Sequence, residues 1–98
     1  MSEFVMLDQR LFMQARGNRR DRLVILSAML SHAAKGVCKT ELMYKVGLSS
    51  AQLDRYIPVL VRSELLEVFN HSKKAVYRTT DKGRNFLDTF DTLVRLLD

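Results

Sequence analysis

Residue types able to do covalent or metal chemistry are few and scattered in this chain of 98 residues. His32, Cys38 and His71 are the strongest soft-metal ligand types, and no CxxC or HxxxH spacing joins them. The glycines fall singly, at Gly17, Gly36, Gly47 and Gly83, so no glycine-rich loop is present to wrap a phosphate. Glu64 and Glu67 stand where a helix pattern gives way to a strand pattern, and solvated carboxylates there need no catalytic role. Cys38 is the only cysteine, which excludes an intrachain disulfide and a disulfide-stapled scaffold. It is expected to be a small buried residue rather than a nucleophile. The chain is therefore expected to be a non-enzyme without metal, cofactor or small-molecule ligand.

The chemistry that remains is recognition by charge and hydrogen bonding. The formal net charge is +5, from 16 Lys+Arg against 11 Asp+Glu. Such a balance keeps a small domain soluble and draws it to polyanions. The excess is local: Lys73, Lys74, Arg78, Lys82 and Arg84 follow one another with Asp81 as the one acid among them. Arg16, Arg19, Arg20 and Arg22 form a second cluster, suited either to extending a nucleic-acid track or to meeting the acids of a partner. Ser50, Gln52 and Arg55 are hydrogen-bond donors near the start of one helix pattern, and Gln or Arg can pair bidentately with an adenine or guanine edge.

The elements that must position these groups follow from periodicity and caps. Hydrophobic residues make up 47% of the chain, with a single proline, which is a folding composition. Phe4, Leu7 and Leu11 share a helical face up to the break at Gly17. A second helix, capped by Asn18 with Asp21 in its first turn, is predicted to run to Gly36, its stretch "LVILSAML" in the core. After a short link through Val37 and Cys38, Thr40 is expected to cap a third helix that Gly47 stops. Ser49 and Gln52 form the Ser-x-x-Gln capping-box pattern of a fourth, with Leu48 and Leu53 at staple positions. Pro58 predicts a bend in it. "LEVFN" and "AVYRT" read as strands joined by the polar "HSKK", and Thr80 caps a last helix that continues to the end. No segment is apolar enough for a signal peptide or membrane span, so a cytoplasmic, nucleoid-associated location is expected.

The third and fourth helices, joined by a Gly-Leu-Ser corner, have the connection of a helix-turn-helix, and the hairpin after them would be a wing. A major groove about 12 Å wide admits one helix. "KTELMYKVGLSSAQLDRYIPVL", then "LLEV" and "YRTTDKGRNFL", resembles the archaeal winged-helix DNA-binding proteins, which include transcriptional regulators and small chromatin-associated dimers. The resemblance runs from about Arg20 to Asp98. Its most specific pieces are Lys39-Thr40, Met43-Tyr44, Leu48-Ser49, Tyr56-Ile57 and Thr80-x-Lys82-Gly83. It implies that the helix from Ser49 enters the major groove, that the hairpin touches backbone or minor groove, and that the final helix pairs with a second subunit.

The expected fold is mainly α with a small β-hairpin: a winged helix-turn-helix over 18–79, an extra N-terminal helix over 1–17 and a long C-terminal dimerisation helix over 80–98, all in one domain. The candidate DNA-contact set is Lys39, Thr40, Ser49, Ser50, Ala51, Gln52, Asp54, Arg55 and Arg62, with His71, Ser72, Lys73, Lys74 and Arg78 of the wing. Leu87, Phe90, Val94 and Leu97 alternate at spacings of four and three, flanked by Phe86 and Leu93, which is the stripe of a coiled coil. Two heptads pair weakly alone, so Phe4, Leu7 and Leu11 are expected to add to the dimer interface. The expected function is duplex binding as a homodimer by a transcriptional regulator. The alternatives are a sequence-nonspecific chromatin protein, or a protein-interaction winged helix that docks a larger complex.

Overall fold

The computed structural model describes residues 18–97, and side chains from Arg22 onward. The expected N-terminal helix with Phe4, Leu7 and Leu11, and the side chains of Arg16, Asn18, Arg19, Arg20 and Asp21, lie outside the described residues. The elements run α1 (Asn18–His32), β1 (Val37–Cys38), α2 (Lys39–Val46), α3 (Ser50–Arg62), β2 (Leu66–His71), β3 (Lys74–Thr79) and α4 (Asp81–Leu97). The mainly helical winged architecture expected from the sequence is the one observed. No described helix is long and apolar enough to cross a membrane.

The core is a single cluster: Leu26, Met29 and Leu30 of α1, Ala33 and Val37 after it, Leu42 of α2, Leu53, Ile57 and Leu60 of α3, and Leu66. On α1 and α3 its members recur three and four apart, so one face of each is removed from water. The expectation for α1 needs one correction. Leu23 and Val24, at the start of its apolar run, are exposed, whereas Leu26, Met29 and Leu30 are buried.

The sheet is antiparallel in the order β1-β3-β2, one strand larger than expected. Val37 pairs with Tyr77 and Cys38 with Val76, so the supposed link is a strand on the free side of β3. Two residues are too few to show a period of two in sequence. This strand also moves the start of α2. The helix begins at Lys39, Cys38 occupies the N-cap position without a side-chain cap, and Thr40 is already inside. Similarly, α1 stops at His32 rather than Gly36, because β3 takes over its last carbonyls. The Thr79 hydroxyl donates to Leu30 O at 2.5 Å and the Thr79 N–H to Ala33 O at 3.0 Å.

The corner between α2 and α3 forms as the caps require. Gly47 sits at φ +78, a left-handed conformation that glycine adopts without Cβ strain, and its N–H donates to Met43 O. Ser49 then starts α3: its Oγ accepts from the Gln52 N–H at 3.2 Å, and its N–H donates to Gln52 Oε1 at 2.9 Å. Reciprocal caps of this kind satisfy two of the open donors of a helix start. The helix runs unbroken through Pro58, which is exposed, to Arg62.

At its far end α3 closes in a Schellman motif. Leu65 N–H donates to Leu60 O and Glu64 N–H to Val61 O, with Glu64 at φ +62 in the position glycine usually fills. The chain then enters β2, turns, and returns along β3 to Thr80. There the Thr80 N–H donates to Leu65 O at 3.1 Å, its hydroxyl donates to Glu64 O at 2.6 Å, and the same hydroxyl accepts from Gly83 N–H at 3.0 Å. Thr80 thus caps α4 as expected, and also fastens its first turn to the end of α3.

Candidate nucleic-acid interface

Because the capping box fixes the first turn of α3, the residues just inside it are held outward. Ser50, Ala51, Gln52, Asp54, Arg55 and Arg62 are all exposed, while Leu53, Ile57 and Leu60 face the core. The cap uses Gln52 Oε1 and the Ser49 Oγ lone pairs, which leaves the Gln52 amide NH2 and the Ser49 hydroxyl proton as donors. Arg55 and Arg62 make no ion pair with another described residue.

Lys39 Nζ reaches from α2 to Asp54 Oδ1 on α3, 2.5 Å away. Two members of the candidate DNA-contact set, Lys39 and Asp54, are therefore engaged with each other. Thr40, one residue on, is exposed. A groove of about 610 Å³ opens between the start of α2 and the wing, lined by Cys38, Lys39, Thr40, Lys74 and Tyr77 among others. Cys38 is a free thiol, half-buried in the wall of this groove rather than fully enclosed.

The wing is tighter than the sequence suggested. His71 pairs with Lys74, so the connection is only Ser72 and Lys73, at φ +52 and +67. A two-residue hairpin with both φ positive is the type I′ turn, which matches the right-handed twist of the strands and favours Asn-Gly. Here it throws Ser72 and Lys73 outward, with His71 and Lys74 exposed beside them. Lys73 and Lys74 form no ion pair among the described residues, whereas Arg78, nearer the base of the wing, is engaged twice. Its Nε donates to Glu67 Oε2 at 3.0 Å, and its guanidinium lies 4.9 Å from the centroid of the Phe69 ring. Cross-strand pairing of Glu67 with Arg78 places all three groups on the outer face of the sheet, a neighbour relation the sequence alone does not reveal.

The predicted dimer stripe on α4 divides in two. Phe86 and Leu87 pack partly against the chain's own core, and Phe90 is half-buried. Leu93, Val94 and Leu97 are exposed, and so is Leu96 at 76%, which the heptad pattern did not single out. Leu23 and Val24 of α1 were also missed as surface residues; α1 packs against α4, and both lie outside the covered part of their helix. No three His, Cys, Asp or Glu side chains come together as a metal site among the described residues.

This order of helices, with a capped third helix and a hairpin returning to a last helix, can be compared with known proteins. A family model described as winged helix-turn-helix matches residues 19–98. The chain belongs to the winged helix-turn-helix family. Comparison with curated proteins found no match. Among solved structures, this winged helix-turn-helix chain is similar to Sso10a-2, a DNA-binding protein from Sulfolobus solfataricus, at 18% identity and TM-score 0.70, covering 76% of this chain and 78% of that one. It is also similar to MepR, a transcription regulator of the Staphylococcus aureus multidrug efflux pump MepA, at 12% identity and TM-score 0.68, over 96% and 75% of the two chains. A third is the transcriptional repressor BigR from Xylella fastidiosa, at 20% identity and TM-score 0.60, over 91% and 96%. At these identities the likeness is one of fold.

Proposed function

We propose that this winged-helix protein binds duplex DNA as a homodimer and acts as a transcriptional regulator, with α3 in the major groove and the wing on the flanking backbone. One observation carries the proposal: the start of α2 borders both reading elements, touching α3 through Lys39 and Asp54 and facing the wing across the groove that Lys74 lines. The donors of α3 and the exposed lysines of the wing therefore belong to neighbouring parts of one surface. Ser49, Ser50, Gln52 and Arg55 are the candidates for base or sugar contact, while Thr40, Arg62, Ser72, Lys73 and Lys74 suit phosphates. Ala51 offers a methyl contact, and His71 a further donor at the wing tip.

The whole chain is proposed to act as one unit, with residues 1–17 as an extension of the winged core and residues 80–98 as the pairing helix. The exposed Leu93, Val94, Leu96 and Leu97 support self-association: apolar side chains grouped in the last turns of one helix favour a covering partner, and Leu23 and Val24 are exposed on α1, which packs against it. A twofold dimer would present two copies of α3, with half-site spacing set by the assembly. The Lys39-Thr40 and Thr80-x-Lys82-Gly83 pieces support an archaeal type of the family. The location this function requires is the cytoplasm, with the nucleoid.

The test is fluorescence anisotropy of duplex binding across a salt series, with a random duplex and the promoter duplex of the protein's own gene. Affinity is expected to fall with salt, and Lys73→Ala/Lys74→Ala to flatten the log–log slope by about 0.9 for each phosphate that is no longer neutralised. A preference for the promoter duplex supports a regulator; equal affinity supports a chromatin protein. Absence of binding at low salt overturns the proposal and favours a protein partner on the exposed leucines.

A further inference from the structure

The end of α3, the base of the wing and the start of α4 meet in four residues. Glu64 and Leu65 close the Schellman motif of α3, and Thr80 and Gly83 open α4. Thr80 bonds both carbonyls on the α3 side, through its hydroxyl to Glu64 and through its N–H to Leu65, and its hydroxyl still accepts from Gly83. Gly83 is buried, and a Cβ there would overlap the Leu65 carbonyl oxygen and crowd the Thr79 methyl. The backbone of Gly83 thus packs directly on the Leu65 carbonyl, with no Cβ of its own between them. The carbonyl of Thr80 also accepts from Arg84 N–H, so the bond set continues into the helical ladder of α4.

We infer that Thr80 and Gly83 are positioning residues that fix the angle of the reading helix α3 to the pairing helix α4. The inference deepens the proposed function and rests on it for its consequence: in a dimer joined through α4, this joint sets the separation and tilt of the two α3 helices. Neither residue belongs to the candidate DNA-contact set. Without the joint, α3 would keep its own caps at both ends and be held to α4 only through side chains packed on the shared core. Thr80 is the more informative of the two to change, since Thr80→Val keeps the shape of the side chain and removes both hydroxyl bonds, while Thr80→Ser restores them.

The experiment measures the joint inside one chain, so that it reads correctly for monomer or dimer. In a Cys38→Ser background, Arg55→Cys and Thr89→Cys carry spin labels, and the labelled protein is diluted into unlabelled chain for pulsed dipolar distance measurement. With the native joint, one narrow α3–α4 distance distribution is expected. Thr80→Val should broaden or shift it, Thr80→Ser should return it to the narrow form, and Gly83→Ala, where folded, should shift it as well. Equal distributions for Thr80→Val and the native joint, with native helical circular dichroism, would overturn the inference and leave Thr80 a cap only. The same variants, unlabelled and with Arg55 intact, then enter the anisotropy assay. Weaker binding by Thr80→Val at an unchanged salt slope, restored by Thr80→Ser, supports the consequence for DNA. If the distances respond while the native chain binds no duplex, the joint stands and the DNA proposal falls.

Discussion

Lys39 and Asp54 face each other 2.5 Å apart, one at the start of the supporting helix and the other on the helix proposed to read DNA. In the proposed mode of binding, the pair takes a cation away from the phosphates and places a carboxylate on the reading face. The Lys39 side chain is 34% exposed and that of Asp54 66%, so water screens the pair and it stabilises the fold by only about 0–1 kcal/mol.

Asp54→Asn should therefore leave the melting temperature nearly unchanged and tighten duplex binding. The freed ammonium neutralises one more phosphate, which predicts a log–log salt slope steeper by about 0.9, and roughly fivefold higher affinity at low salt. Anisotropy titrations at several salt concentrations measure both. An unchanged slope would mean that Lys39 does not face the backbone.

The wing tip makes a prediction of opposite sign for stability and binding. Ser72 and Lys73 hold positive φ without being glycine, a conformation that costs an ordinary residue about 1 kcal/mol or more. Ser72→Asn/Lys73→Gly supplies the residues a type I′ turn favours. Its melting temperature should rise by roughly 4–8 °C for each kcal/mol gained. Duplex affinity should nevertheless fall, because Lys73 is gone. Thermal denaturation and anisotropy on the same preparation separate the two effects.

Leu93→Asp/Val94→Asp tests the pairing helix. Both residues are exposed, at 53% and 40%, so their replacement empties no part of the core. Sedimentation equilibrium should show a shift from dimer to monomer with unchanged far-ultraviolet circular dichroism. A dimer that persists would place the interface elsewhere.

Gly83→Ala should be destabilising, against the direction that helix propensity alone would give. Alanine is the better helix former by about 1 kcal/mol, yet its Cβ would overlap the Leu65 carbonyl oxygen, and overpacking against backbone costs about 3 kcal/mol, which leaves a net loss of about 2 kcal/mol. A fall of the melting temperature by roughly 10 °C is expected in calorimetry.

Where structure followed from neighbours in sequence, the sequence was legible. The Ser49-x-x-Gln52 box, the Gly47 stop, the Thr80 cap and the two strands of the wing are all local, and each appears in the fold. What stayed hidden depends on residues distant in the chain. Val37 and Cys38 become a strand only because β3 arrives beside them. The Thr40 cap gives way for the same reason. Lys39 meets Asp54, and Arg78 meets Glu67 and Phe69, across gaps that no spacing rule spans. The DNA-facing set was chosen by residue type, and residue type does not reveal which cations already have partners. Glu64, at a left-handed φ that would ordinarily announce a glycine, carries no sequence signal at all.

β1 passes into α2 with no residue between Cys38 and Lys39. A rail laid down by β3 thus ends directly in the helix that backs α3, and any extra length at this point would derail both. One alanine inserted between Cys38 and Lys39 must turn α2 by about 100° or pull β1 out of register, since a helix advances 3.6 residues per turn. The same insertion between Ser72 and Lys73 only enlarges an exposed turn. The family's freedom to vary in length should therefore be found at the wing tip, and its intolerance at the seam where strand becomes helix.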